Sequence, residues 1–208
     1  MKIFFLASLF LFFWVFCRQM KNHTRSIQEE QRSFWQKERA ANSVRKKPLD
    51  NLDYISIPLD KLPMDSHTDD KTVADCISTL TILSERKIVN LTGITNTDLK
   101  LAYGTANITV LTEYDQNFTL LVTTLQKWAE VLYSLGDTES TKLLLEYAVS
   151  VGSDVSKTYS LLASIYEQNH ELSQITSLKE SAAKLTSSSG KIIVRKLEEA
   201  YPLTEKFE

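Results

Sequence analysis

Residues 118–151, FTLLVTTLQKWAEVLYSLGDTESTKLLLEYAVSV, are followed by a second stretch of equal length, residues 152–185, GSDVSKTYSLLASIYEQNHELSQITSLKESAAKL. Leading into the first, Tyr114, Phe118, Leu121, Leu125, Trp128, Ala129 and Leu132 recur mostly every three or four residues, the spacing of one buried helical face. Gly136-Asp137 interrupts it, and Leu143, Leu144, Tyr147, Ala148 and Val151 carry the next apolar face. Gly152-Ser153-Asp154 breaks the pattern again. Val155, Tyr159, Leu162, Ala163 and Tyr166 then open a third helix, Asn169-His170 makes a turn, and Leu172, Ile175, Leu178, Ala182, Ala183 and Leu185 form a fourth. Sliding the first stretch onto the second superposes Gly136 on His170, Ala129 on Ala163, Leu132 on Tyr166, Ala148 on Ala182 and Val151 on Leu185. A fixed period of this length is the mark of stacked helix pairs. The alanines have a physical role in it, because helices that cross closely need a small side chain where the backbones approach.

Residues 118–187 resemble two tetratricopeptide repeats, with the small residue of mid helix A at Ala129 and Ala163 and that of late helix B at Ala148 and Ala182. The resemblance departs from the family pattern where early helix B has Thr141 and Ile175, where the next aromatic position holds Leu145 and Lys179, and where the closing proline is Ser153 and Ser187. It implies an all-α fold, an antiparallel helical-hairpin array, and a ligand groove lined by the inner face of helix A. Carried onto this chain, that face comprises Thr123, Gln126, Glu130 and Tyr133, then Lys157, Ser160, Ser164 and Glu167. The wording around NLDYISIPLDKLP (51–63) and LTEYDQNFTLLVTTLQKWAEVLY (111–133) is also similar to that of bacterial membrane-anchored proteins of the same repeat type. That likeness implies a bacterial origin and brings no activity with it.

The other end of the chain reads differently. Ile3 to Cys17, IFFLASLFLFFWVFC, is apolar all round. As a helix it spans roughly 22 Å at ~1.5 Å per residue, and snorkelling Lys2 and Arg18 extend its reach across a bilayer core. Small residues for signal cleavage are missing from the bulky stretch Phe13–Cys17, and Phe16 stands where a lipoprotein anchor would need a small residue. Residues 1–20 are therefore expected to be a retained, single-pass transmembrane helix, with the lipid bilayer contacted by residues 3–20. Arg18, Lys21, Arg25, Arg32, Lys37 and Arg39 follow the segment, which puts the C-terminal body on the cytoplasmic side of the cell membrane. Asn-x-Thr sequons at Asn22, Asn90, Asn107 and Asn117 keep an extracellular body as the alternative.

Between anchor and repeats, residues 21–48 form a basic juxtamembrane helix and linker, with a helix over Ser26–Ala41 that Pro48 ends. Residues 49–67, containing Pro58 and Pro63, read as an extended strap, since proline fixes φ and biases its neighbour to extended backbone. Flanking helices at 69–87 and 97–103 occupy residues 68–117, the second stopped by Gly104. Two repeats alone bury too little core, so these helices and the strap are expected to shore up the array. Residues 188–208 supply a capping helix over Lys191–Ala200 and a tail. The charge is divided the same way: residues 1–50 hold ten Lys/Arg against four Asp/Glu, and the rest 14 against 22.

No constellation for chemistry emerges. His23, His67 and His170 stand in a linker, a loop and a turn, away from metal-ligand spacing. Phosphate-cradling glycine motifs and nucleophile elbows are missing, and Cys17 and Cys76 are too far apart in the pattern for a disulfide framework. An acidic body disfavours nucleic acid. The expectation is a membrane-tethered module that binds a protein or peptide partner, without catalytic residues, metal, cofactor or small-molecule ligand. The alternative is a structural subunit of a membrane complex that uses the anchor and the juxtamembrane helix, with Phe34 and Trp35, as its interface.

Overall fold

In the computed structural model the described residues are 2–202, with side chains described for 12–14, 16, 18–21 and 27–202. The helices among them are α1 (Lys2–Asn42), α2 (Lys71–Ser84), α3 (Asn96–Tyr103), α4 (Ile108–Ser134), α5 (Thr138–Ser150), α6 (Ser156–Gln168), α7 (Leu172–Ala183) and α8 (Ser188–Ala200). Short 3₁₀ turns cover Leu59–Lys61 and Thr105–Asn107. The described residues hold no strand, only an isolated antiparallel bridge between Tyr54 and Val89. The all-α class follows from scarce breakers and sustained helical periodicity.

The chain divides into two compact units, Met1–Pro48 with Thr95–Ile108, and Leu49–Ile94 with Thr109–Glu208. In the first, α1 is one continuous helix, about 60 Å long at ~1.5 Å per residue, because neither Gly nor Pro interrupts it. The separate anchor and juxtamembrane helices of the sequence reading are thus one element. Among the described residues no helix is long and apolar enough to cross a membrane. The expected anchor, residues 1–20, falls mostly on residues whose side chains lie outside the described ones.

The helix ends at Asn42, six residues before Pro48. Its C-terminal turns pack on α3. Glu38 pairs with Lys100 and accepts from Thr97 Oγ1 at 2.7 Å, while Lys37 Nζ reaches Asp98 at 2.7 Å. Ala41 is fully buried. Residues 43–48 leave the helix because α3 offers their backbone other partners. Lys47 N donates to Tyr103 O at 3.0 Å, and the buried Asn107 amide donates to Lys47 O and Tyr103 O, both at 2.7 Å. Gly104, at φ +88°, lies so close to the Arg45 backbone that a Cβ would overlap it. The polar side chains that fix α3 on α1 carry no periodic signal, which is why the sequence assigned α3 to the flank of the array.

In the second unit, α2 starts at Asp70, whose Oδ1 accepts from Thr72 N (2.7 Å) and Val73 N (3.1 Å), an N-cap. Val73, Cys76, Leu80 and Leu83 bury its inner face. They join a core built around Trp128, Leu132, Leu144, Tyr159 and Leu162. The strap belongs to that core: Ile57 and Leu62 are buried, and Ile55, Leu59 and Met64 pack against it. Ile55 N donates to Ile88 O at 2.9 Å, and Tyr147 Oη donates to Ser56 O at 3.2 Å.

The turns that end α4 and α6 share one backbone geometry. Gly136 (φ +83°) and His170 (φ +59°) both adopt the left-handed conformation that closes a helix. Gly136 N donates to Tyr133 O and Asp137 N to Leu132 O; His170 N donates to Glu167 O and Glu171 N to Tyr166 O. Each bond of the first turn has its counterpart one repeat further on, the paired bonds of a Schellman cap. Ala129 and Ala163 are fully buried, as are Ala148 and Ala182. Consecutive helices α5 to α8 pack on one another, and α8 also contacts α6. Helix α8 starts at Ser188, three residues earlier than expected, taking Gly190 into its first turn; Ile193 and Leu197 are its buried side chains.

Candidate functional site

Six of the eight residues expected on the helix A face come together. Gln126, Glu130 and Tyr133 from α4, and Lys157, Ser160 and Ser164 from α6, line one open groove of about 540 Å³, joined by Ser156, Leu161 and Lys196. The spacing explains the convergence, since residues three to four apart share one helix face.

A polar network holds the floor. Thr158 Oγ1 donates to Gln126 Oε1 at 2.7 Å, and Gln126 Nε2 donates to Glu130 Oε1 at 2.9 Å. Lys157 Nζ completes it with a 3.2 Å ion pair to Glu130. The Gln126 amide, aided by Lys157, holds the Glu130 carboxyl below the ordinary glutamate value against the opposing effect of burial. Glu130 is thus an anion under all neutral conditions. Tyr133 Oη accepts from Gln168 Nε2 at 3.3 Å, which fixes the ring at one end of the groove. Ser160 Oγ turns back to Ser156 O at 3.1 Å, so the serines of α6 present a shallow surface.

Two of the expected residues lie elsewhere. Thr123 lines a separate hollow with Asp75, Cys76, Thr79, Leu120 and Lys127, where α2 lies against α4. Its hydroxyl is engaged by Thr119 O at 2.8 Å. Glu167 is exposed at the end of α6, where burial and the charge of Glu167 both raise the Tyr201 phenol above its ordinary value. Both carry the right periodicity, but Thr123 lies on the α2 side of α4 and Glu167 lies outside the lining of the groove.

Sequence reasoning missed Ser156, Leu161 and Lys196. Ser156 stands one turn before Ser160 and was within reach of the same pattern. Lys196 is exposed on α8, yet its Nζ donates to Ser156 Oγ at 3.3 Å and borders the groove. No local pattern on α8 announces that contact, which depends on α8 packing against α6.

Three sequon asparagines use their side-chain amides internally. Asn117 Nδ2 donates to Lys87 O at 3.0 Å, Asn107 is fully buried, and Asn90 Nδ2 donates to Gly152 O at 3.3 Å. A glycan replaces one hydrogen of the amide nitrogen, so on Asn107, whose Nδ2 donates to both Lys47 O and Tyr103 O, it would remove one of the two bonds. The Asn22 side chain lies outside the described residues. Cys76 is buried, which raises its thiol above the ordinary value. Among the described residues no group of three or more His, Cys, Asp or Glu could hold a metal ion. Comparison with protein-family models, with curated proteins and with solved structures finds no match to this chain.

Proposed function

We propose that this chain is a membrane-tethered, tetratricopeptide-like scaffold whose α4–α6 groove binds a protein or peptide partner, and that it acts by binding rather than by catalysis. The observation that carries the reading is the convergence of Gln126, Glu130, Tyr133, Lys157, Ser160 and Ser164 on one groove. The groove is open and mixed in polarity, suited to an extended peptide more than to an enclosed small molecule. Recurrence of the same cap geometry one repeat later supports stacked repeat units.

Residues 1–20 supply the tether in this reading, and the basic run from Arg18 to Arg39 orients the body to the cytoplasm. Tethering raises the local concentration of groove and partner, so modest affinity suffices. The test is affinity capture from membranes with the full chain and with Ser160→Trp, which fills the groove. Loss of a specifically captured protein is expected; its undiminished recovery would reject the groove as the docking surface. Protease treatment of intact and opened cells tests the orientation, with cleavage of the body expected only after opening.

A second reading, a structural subunit of a membrane complex, is favoured by Phe34 and Trp35. They stay 53% and 58% exposed on α1, stacked edge-on with ring centroids 5.4 Å apart. Such an interface would bury these two rings, whose large apolar area is otherwise left in contact with solvent. Phe34→Ala with Trp35→Ala would disrupt that complex and leave groove binding intact.

A further inference from the structure

The groove is asymmetric in charge. Glu130 and Lys157 form an ion pair at 3.2 Å, so each offsets the other. Lys196 approaches from α8 with only the neutral Ser156 Oγ as a hydrogen-bond acceptor, and among the described residues no carboxylate pairs with it. The groove therefore has a surplus positive charge, although the sequence from residue 51 onward holds 22 Asp/Glu against 14 Lys/Arg. A surplus cation on an acidic body is a local selector, because charge complementarity acts on the partner's identity more than on raw affinity.

The contact surfaces agree with that. Ser156, Ser160 and Ser164 recur at one-turn spacing and keep the α6 side shallow enough for a backbone to lie close. Leu161 and the Tyr133 ring supply apolar contact. By contrast, the hollow between the strap and α5 is bordered by Asp53, Asn90, Thr92 and Thr186 with no lysine or arginine. That hollow offers an anion no cationic side chain and sets the Asp53 carboxylate against it.

We propose that the groove selects an acidic extended peptide, with Lys196 as the specificity-determining cation and Lys157 as a second cation held in reserve by Glu130. This rests on the groove being the docking surface. An incoming carboxylate takes the open position at Lys196 and competes with Glu130 for Lys157. Removing the Glu130 charge should then strengthen binding, and reversing Lys196 should weaken it. A generic hydrophobic or shape-selective groove would show neither response.

The experiment uses the full chain in phosphatidylcholine nanodiscs, which carry no net lipid charge. Its probes are fluorescein-labelled dodecapeptides of repeated Gly-Glu-Leu, Gly-Gln-Leu and Gly-Lys-Leu, read by anisotropy. The glutamate peptide is expected to bind tightest and the lysine peptide weakest. Lys196→Met should weaken the glutamate peptide about threefold to fivefold, the worth of one exposed ion pair, and leave the glutamine peptide unchanged. Lys196→Glu should weaken it by about tenfold, since reversal adds repulsion. Glu130→Gln should tighten it by about twofold to threefold. Lys196 is exposed, so unchanged far-ultraviolet circular dichroism is expected for both of its variants, and the two must agree in direction. If the glutamate and glutamine peptides bind equally and Ser160→Trp abolishes both, acidic selection is overturned and the groove reading stands. If none of the peptides binds, or if Ser160→Trp changes nothing, the groove reading falls and the selection with it.

Discussion

Thr158 Oγ1 donates a 2.7 Å hydrogen bond to Gln126 Oε1, linking α6 to α4 at the floor of the groove. Thr158 is fully buried and Gln126 only 7% exposed, so water has little access to the bond. Thr158→Val keeps the shape but strands the Gln126 carbonyl, at an expected cost of about 1–3 kcal/mol. Gln126→Leu in the same background removes the stranded group and should recover much of that loss. Urea unfolding of the two single variants and the double variant measures the coupling. If the double variant is as unstable as the sum of the singles, the bond does not join the helices energetically.

The capping residues of the two helix pairs predict opposite responses. Gly136 and His170 share the left-handed backbone state, but only His170 has a side chain that resists it. His170→Gly should stabilise the chain by up to about 1 kcal/mol. Gly136→Ala should destabilise it by about 1 kcal/mol, since a Cβ there meets nothing within 4 Å and the cost is conformational alone. Shifts of the thermal midpoint in opposite directions are the check. A loss of stability in His170→Gly would mean that the imidazole makes a compensating contact.

Asp137 ties the strap to the array and sets an acid limit. Its Oδ1 accepts from Ser140 N at 3.1 Å to cap α5, and its Oδ2 accepts from Ser66 Oγ at 2.6 Å with His67 Nε2 at 3.4 Å. Burial pushes its carboxyl up, but the bonds from Ser66 and Ser140 together outweigh that and hold it below the ordinary aspartate value. A depressed carboxylate contributes stability above its unfolded pKa of about 3.9 and loses it as pH falls through the folded value. Asp137→Asn retains a capping oxygen and should flatten the stability curve below about pH 4. Asp137→Ala should cost about 1 kcal/mol at neutral pH and speed proteolysis of the strap. An unchanged acid slope in Asp137→Asn would contradict the assignment.

Alkaline titration reads the core directly. Tyr147, bonded to Ser56 O, and Tyr159, bonded to Ser153 O at 2.9 Å, are each pushed up to about 12 by burial. Their neutral forms are favoured by folding, so the stability they contribute is complete below about pH 10 and is lost as pH rises toward 12. A phenolate absorbance titration of the folded chain should still have a protonated fraction at about pH 11, and Tyr159→Phe should reduce that late component. Full ionisation before unfolding would show that solvent reaches both rings.

Much of this protein is legible without its tertiary structure. Apolar spacing of three and four marks α4 to α7, the breaks at Gly136 and Gly152 bound them, and alanines one repeat apart identify the equivalent positions. These are local properties: a helix repeats its face every turn, and a left-handed cap needs glycine or a residue that tolerates the strain. The continuity of α1 was implicit in the lack of Gly and Pro between residues 2 and 47. It is obscured by the change of composition at Arg18, where the helix does not end.

What only the tertiary structure decided is the choice of partners. Asn96–Tyr103 reads as a short helix in sequence, but its place against α1 depends on Lys100 and Asp98 meeting Glu38 and Lys37, about sixty positions away. Thr123 has the same periodicity as Gln126, yet lies toward α2 in another hollow. Lys196 looks like any exposed residue of an amphipathic helix until α8 packs on α6 and brings its ammonium to Ser156. Periodicity records which side of a helix is buried. It does not record which neighbour buries it, because that depends on the complementarity of distant surfaces, and the groove is made by such neighbours.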